Sequence, residues 1–134
     1  MNKLFYPAVF HKAEEGGFWI TFPDLPECMT QGDTLEEAYT MAIDALGLCL
    51  ADMEKSHAPL PEASVPNTIE LGADDFLMLV EFDMLAYKKR TNPSFVKKTL
   101  SIPGWLNEEA LALNVNFSQV LQEALTELVT RQRA

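Results

Sequence analysis

The chain has 134 residues, of which 48% are hydrophobic and 22% are charged, and its formal net charge is −10. This length suits one ordinary domain or two small ones, and the hydrophobic content is enough for a packed core. No apolar run approaches the ~18 residues of a membrane span, and no apolar signal segment follows the first residues. We therefore expect a folded chain without a membrane span.

The two cysteines, Cys28 and Cys49, form neither a CxxC motif nor a spacing typical of metal ligands. Cysteines that stay reduced are typical of proteins in a reducing compartment. We expect two free thiols and a cytoplasmic location.

Charge is distributed unevenly along the chain. Residues 1–86 contain sixteen acidic residues against three lysines, a net charge of −13, whereas residues 87–134 contain seven basic residues against four acidic ones, a net charge of +3. Such a division indicates two modules with different partners. The acidic module is expected to repel nucleic acid and could attract a basic protein, so only the second module suits DNA.

The first 86 residues predict a domain that starts with strands. Alternating apolar residues predict a strand at Leu4–Phe10, and β-branched and aromatic residues predict another at Phe18–Phe22. Gly16 and Gly17 indicate a hairpin connection between them. The two prolines within residues 23–27 are expected to break the second strand, and a short third strand is predicted near Cys28–Gln31.

A long helix and a last strand complete this domain. Asp33 and Thr34 both have the capping-box spacing for the helix N-cap, and apolar residues then recur at helical spacing to about Lys55. Residues 57–66 contain three prolines and predict a surface loop, and an apolar run within residues 74–83 predicts a buried strand. Strands, helix and strand in this order are typical of an α+β domain.

Residues 87–93 are basic, end in proline, and are predicted to be a linker to residues 94–134. The latter predict a short strand, Phe95–Ile102, and two amphipathic helices, with Pro103 in the first helical turn and Asn116 capping the second helix. Chains of about 40 residues seldom fold alone, and a lone strand leaves an unpaired edge. A homodimer would pair two such strands into a ribbon, and a two-stranded ribbon fits the DNA major groove.

The second predicted helix carries an apolar stripe wider than one small chain can bury, which favours an intertwined dimer. The residues expected at the dimer interface are Leu100, Ile102, Val120, Leu121, Ala124, Leu125 and Leu128.

Polar residues on the other side of the predicted strand are candidates for DNA contact. Lys97, Thr99 and Ser101 share that side and are expected to contact base edges; the alternative is an ordinary solvated strand face. Lys98 falls on the apolar side, so its ammonium is expected to reach the dimer edge or a phosphate. The start of the second helix offers free backbone N–H groups for an anion, with plain capping as the alternative. The expected phosphate-binding residues are Lys98, Asn116, Phe117 and Ser118.

No enzyme motif is apparent. The acidic residues lie mostly in predicted turns and at a cap, not in the carboxylate cluster that a metal-dependent nuclease needs. His11 and His57 have no cysteine or nucleophile beside them in the sequence. We expect no catalytic residue, no bound metal and no cofactor.

Two parts of the chain resemble the HicB antitoxins. The parts similar to the N-terminal signature of that family are Tyr6–Phe10, Gly17–Pro26 and Thr30–Ala38. The parts similar to the ribbon-helix-helix tail of one branch are Lys98–Pro103 and Asn116–Leu125. One departure is Glu27, where the family commonly has glycine.

The resemblance implies an antitoxin that neutralises a small HicA-type ribonuclease toxin and represses its own operon. The implied fold is α+β: a partial ribonuclease-H-like antiparallel sheet with one covering helix in residues 1–86, and a ribbon-helix-helix dimerisation module in residues 94–134. It also implies a phosphate clamp at the start of the last helix. Toxin contacts are expected at Asp24 and Glu27.

Two other functions stay open at this point. One is a stand-alone ribbon-helix-helix regulator whose N-terminal domain senses a small molecule, and the other is a metal-dependent nuclease built on the N-terminal domain. The sequence does not define the operator or whether dimers associate into tetramers.

Overall fold

A computed structural model describes residues 3–133, which divide into two compact units, residues 3–91 and residues 92–133. The elements of the first unit are β1 (Lys3–Lys12), β2 (Phe18–Phe22), β3 (Leu25–Gly32), α1 (Leu35–Lys55), a short 3-10 turn (Pro66–Thr68), β4 (Phe76–Asp83) and α2 (Met84–Thr91). The second unit contains α3 (Gly104–Ala112) and α4 (Phe117–Arg133). The mixed α+β class predicted from the sequence is confirmed.

The four strands form one antiparallel sheet in the order β3-β2-β1-β4. Gly16 and Gly17 both have positive φ angles, 96° and 78°, as the predicted hairpin between β1 and β2 requires. β3 begins earlier than predicted and includes Pro26, because β3 is an edge strand, where a missing N–H need not break the sheet.

Helix α1 covers one face of the sheet. Thr34 is its N-cap, since the Thr34 hydroxyl accepts a hydrogen bond from the Glu37 N–H at 3.1 Å. The buried positions of α1 are Ala38, Ala42, Leu46, Gly47 and Leu50. They pack on the inward side chains of the strands, a buried cluster that includes Tyr6, Ala8, Phe10, Ile20, Phe22, Val80 and Phe82.

The predicted linker at residues 87–93 is wrong over most of its length, because α2 continues directly from β4 to Thr91. Met84 is buried in the core, and the Tyr87 ring lies against Phe82, with ring centroids 5.5 Å apart. Gly47 makes this approach possible, since a Cβ atom there would lie 2.6 Å from the Tyr87 ring. The two apolar contacts fix α2 to the first unit.

The second unit is a helix pair preceded by residues 92–103, which form neither helix nor strand in the single chain. Pro103 is the N-cap of α3. Asn114, with a φ of 56°, lies in the turn between α3 and α4. Asn116 Oδ1 accepts a hydrogen bond from the Gln119 N–H at 3.0 Å, so the predicted cap of the last helix is confirmed. The strand predicted at residues 95–102 is not formed in this single chain, where none of the described strands pairs with it.

Candidate functional site

The second unit has no buried residue anywhere between residues 92 and 133. Its large exposed apolar side chains range from Phe95 at 87% to Leu121 at 37% exposed. The expected interface residues with large exposed side chains are Leu100, Ile102, Val120, Leu121, Leu125 and Leu128, and Ala124 is exposed as well. An exposed apolar surface of this extent marks an interaction site.

The residues predicted to contact bases lie before α3, in residues 92–103, which form neither helix nor strand. Lys97, Thr99 and Ser101 are all exposed, as are the alternate residues Lys98 and Leu100. The structure therefore leaves these side chains available, and their contact with DNA stays a prediction.

The start of α4 contains the other expected phosphate-binding residues. The Asn116 side chain is engaged in capping, and the Ser118 hydroxyl accepts a hydrogen bond from Gln122 Nε2 at 2.9 Å. Phe117, the first helical residue, is 41% exposed. Capping is thus the observed role of this turn, and a phosphate on its backbone N–H groups stays a prediction.

Basic residues of α2 are engaged with acidic residues of α1. Lys88 forms an ion pair with Glu54, and Arg90 lies 3.6 Å from the Asp44 carboxylate and over the Tyr87 ring. With these cations counted in the first unit, residues 3–91 contain sixteen acidic and six basic residues, a net charge of −10. Residues 92–133 contain four of each and are neutral.

Asp24, an expected toxin contact, holds two segments of the first unit together. Its carboxylate accepts hydrogen bonds from both the backbone N–H and the hydroxyl of Ser64, forty residues later in the chain. Nearby, the Tyr6 hydroxyl donates a hydrogen bond to the Pro61 carbonyl at 2.6 Å, and burial, helped by the Asp24 charge, raises the pKa of Tyr6. Glu27 is exposed on β3. Toxin contact by either acid stays a prediction.

The sequence shows no cysteine or nucleophile beside His11, but the fold brings polar and aromatic partners to its ring. Its Nδ1 lies 3.0 Å from Asp75 Oδ1, its Nε2 lies 2.9 Å from the Thr21 hydroxyl, and its ring stacks on Trp19 with centroids 3.8 Å apart. Both ring nitrogens are engaged, so this arrangement fixes the position of the ring. The sequence does not reveal this arrangement, because Asp75 is sixty-four residues away and reaches His11 only when β4 pairs with β1.

The face of the sheet opposite α1 carries no helix of the first unit, and we call it the outer sheet face. Cross-strand pairing aligns its residues in rows, one of which runs from Leu77 through Val9 and Thr21 to Met29. Its members are Phe5, Pro7, Val9 and His11 on β1, Trp19 and Thr21 on β2, Met29 and Gln31 on β3, and Leu77, Leu79 and Glu81 on β4. Phe5, Trp19, Met29 and Leu79 are each 41–59% exposed. Sequence reasoning missed this surface because it treated the alternation of each strand separately.

An open depression of about 630 Å³ lies beside the hairpin between β1 and β2. Residues 12–16 line it, together with Phe18, Trp19 and residues 31–33. Small-molecule sites are usually enclosed and mostly apolar, which does not describe this loop-lined depression. It gives little support to the ligand-sensing alternative.

Within residues 3–133, no three His, Cys, Asp or Glu side chains are grouped so that they could hold a metal ion. Cys28 and Cys49 are free thiols, and burial, followed by a hydrogen bond with Cys49, raises the pKa of the Cys28 thiol. A thiol in such surroundings is protonated and chemically inert. None of the helices among the described residues combines the length and apolar character needed to cross a bilayer.

These features define a two-unit α+β protein, with one acidic sheet domain and one helix pair whose apolar side chains are exposed. Residues 6–101 match the family of HicB-like antitoxins of bacterial toxin-antitoxin systems, and the chain belongs to that family.

Two solved structures and one curated relative show the extent of the likeness. A chain of a toxin-antitoxin complex from Streptococcus pneumoniae is 28% identical, with a TM-score of 0.60, over 93% of this chain and 98% of that one. A chain of the HicA3 and HicB3 toxin-antitoxin complex is 28% identical, with a TM-score of 0.51, over 60% of this chain and 99% of that one. Antitoxin HicB 1 of Photorhabdus laumondii is 58% identical over 46 residues, which are 34% of this chain and 30% of that protein. The match thus spans less than a third of that relative.

Proposed function

We propose that this protein is an antitoxin that neutralises a HicA-type ribonuclease toxin through residues 3–91 and represses its own operon by binding operator DNA through a dimer of residues 92–133. Membership of the HicB-like family supports the first activity, as do solved relatives named as toxin-antitoxin complexes. The proposal places the protein in the cytoplasm, where both the toxin and the operator would be found.

The observation that carries the DNA-binding part is the absence of any buried residue between residues 92 and 133. Two helices without a single buried apolar residue gain little stability from one chain, because apolar burial is the main favourable term in folding. A second copy would cover Leu121, Leu125 and Leu128 and would let residues 95–102 of the two chains pair as a two-stranded ribbon. This is the ribbon-helix-helix arrangement, and it gives the exposed Phe95–Ile102 segment the hydrogen-bond partners that a strand requires.

A two-fold dimer of this kind would present Lys97, Thr99 and Ser101 twice to one major groove. A two-stranded ribbon is narrow enough to enter that groove, where side chains distinguish all four base pairs. Lys98 and the N-terminus of α4 would then hold the flanking phosphates, which position the protein without specifying sequence.

The charge of the first unit supports a basic protein partner. Residues 3–91 have a net charge of −10, which disfavours DNA and speeds the encounter with a positively charged toxin. We also propose that the first unit has a partial ribonuclease-H-like fold. The order of three strands, a covering helix and a fourth strand supports this.

The test is co-expression of the full chain with the small basic protein encoded beside it. The neighbour alone is expected to arrest growth and degrade RNA, and the full chain is expected to restore growth and to co-purify with it. Purified full chain is expected to bind DNA from its own promoter in a fluorescence-anisotropy titration and to prefer it over scrambled DNA. If the neighbour stays fully active in the presence of this chain, the antitoxin function is wrong.

A further inference from the structure

We propose that the outer sheet face is the surface on which the toxin docks. This inference rests on the proposed antitoxin function and assigns that function a surface, which differs from the acidic turn of Asp24 and Glu27. The occupant would be a small basic protein that offers apolar side chains to the centre of the sheet and cations to its rim.

The centre of the outer sheet face is apolar. Pro7 and Val9 on the inner strand β1 are almost fully buried, and β4 places Leu79 opposite Pro7 and Leu77 opposite Val9. Leu79, opposite Pro7, is 48% exposed, and Met29, in the row of Val9, is 59% exposed. Aromatic residues and methionine are enriched in protein interfaces relative to the rest of the surface.

Trp19 is positioned as the aromatic contact of this surface. Trp19 is 41% exposed, and the His11 ring stacks on its ring. His11 cannot turn away without losing its contacts to Asp75 and Thr21. A large side chain that is already ordered loses little entropy on binding, which is why fixed aromatic residues contribute strongly to interfaces.

The charges around this apolar centre favour a basic occupant. Glu81 lies on the outer sheet face itself, Asp75 lies at the end of its β1–β4 side, and Asp83 follows Glu81 on the same strand. Lys3 forms an ion pair with Glu81 at 3.0 Å, which neutralises only part of this charge. A second copy of the chain would bring another net charge of −10 to the same surface, so like charges oppose self-association there.

The remote side of α1 provides a matched control. Leu48 is 66% exposed, and Asp44 and Asp52 flank it one helical turn away on either side. A Leu→Lys change at this position therefore has the same chemistry as a change on the outer sheet face, but it lies on the opposite side of the domain.

The experiment compares the full chain carrying Leu79→Lys, Met29→Lys or Leu48→Lys, each titrated against the purified basic protein encoded beside it. Leu79→Lys and Met29→Lys each remove an apolar side chain that the complex would bury and add a positive charge facing a basic partner. The affinity for that partner is therefore expected to fall roughly 10- to 100-fold. The Leu48→Lys variant is expected to bind within about threefold of the unmodified chain. Both residues lie on edge strands, and Met29 is the more exposed of the two, so the Met29→Lys variant is expected to keep the fold even if Leu79→Lys does not.

The outcomes distinguish failure of the proposed antitoxin function from failure of the proposed docking surface. If the unmodified chain does not bind the basic protein, the proposed function fails and this inference fails with it. If the unmodified chain binds and a folded Met29→Lys variant binds equally well, the outer sheet face is not the docking surface, although the antitoxin function stands. If Met29→Lys instead lowers the sedimentation mass of the free chain and leaves toxin capture unchanged, the face joins copies of this chain and the inference is overturned.

Discussion

The dimer proposed for residues 92–133 predicts a large effect of Leu125→Asp. Leu125 is 49% exposed in the single chain, so about half of its side chain is left for a partner to cover. Half of the usual gain from burying a leucine is about 0.7–1.5 kcal/mol, and the two-fold axis repeats it, giving about 1.5–3 kcal/mol per dimer. A carboxylate at the same place also loses its hydration, which costs several kcal/mol more per ion. The dimer dissociation constant is therefore expected to rise at least about 100-fold.

Sedimentation velocity at micromolar concentration measures this effect directly. The unmodified chain is expected to sediment as a dimer and the Leu125→Asp variant as a monomer. Leu48→Asp is the control, since it places the same carboxylate on an exposed leucine of α1 and is expected to leave the dimer intact. The reasoning is refuted if the unmodified chain is a monomer at this concentration, or if Leu125→Asp sediments with the mass of a dimer.

Three further changes test other parts of the structure. Lys97→Ala is expected to reduce binding to operator DNA far more than binding to scrambled DNA, losing about 1–3 kcal/mol of discrimination, whereas Lys98→Ala is expected to weaken both alike and to flatten the salt dependence in anisotropy titrations. Asp24→Ala removes the acceptor of two hydrogen bonds from Ser64 and is expected to lower the free energy of unfolding by about 1–3 kcal/mol in a urea titration. An unchanged urea midpoint would contradict a stabilising role for these hydrogen bonds. Gly47→Ala places a methyl group against the aromatic ring of α2 and is expected to cost about 1–3 kcal/mol, although alanine favours a helix, whereas Gly104→Ala, where the new Cβ meets no atom within 4 Å, is expected to be neutral or stabilising.

Local patterns predicted most elements of the first unit correctly. The alternation of β1, the Gly16-Gly17 turn and the apolar period of α1 to Lys55 depend on neighbouring residues only, so the sequence contains them in full. The sequence offered two possible caps for α1, and the hydrogen bond to Thr34 selects one of them.

The sequence did not predict α2. Lys88, Lys89 and Arg90 looked like a solvated linker because their stabilising contacts are distant in sequence. Lys88 pairs with Glu54, and Tyr87 packs where Gly47 leaves space, so tertiary contacts decide this helix. Because α2 belongs to the first unit, its three basic residues count toward the charge of that unit, and residues 92–133 are neutral.

The candidate surfaces were predictable to different degrees. The wide apolar stripe of α4 lies on consecutive helical turns, and the sequence therefore predicted an unpartnered face. The outer sheet face depends on strand order and register, which join residues as distant as His11 and Asp75. Single-strand alternation predicts that such residues point away from the core, but it does not tell which of them lie side by side.

The segment at residues 92–103 also affects how long the intact protein would survive. A stretch of twelve exposed residues without helix or strand is the kind of backbone that proteases cut first. Pairing two chains would protect it, so protection would grow with concentration and fade on dilution. A cut there would separate the two units and leave a free acidic domain that could still hold its protein partner. Under the proposed function, DNA binding would then be lost at low protein concentration while binding of the toxin continued.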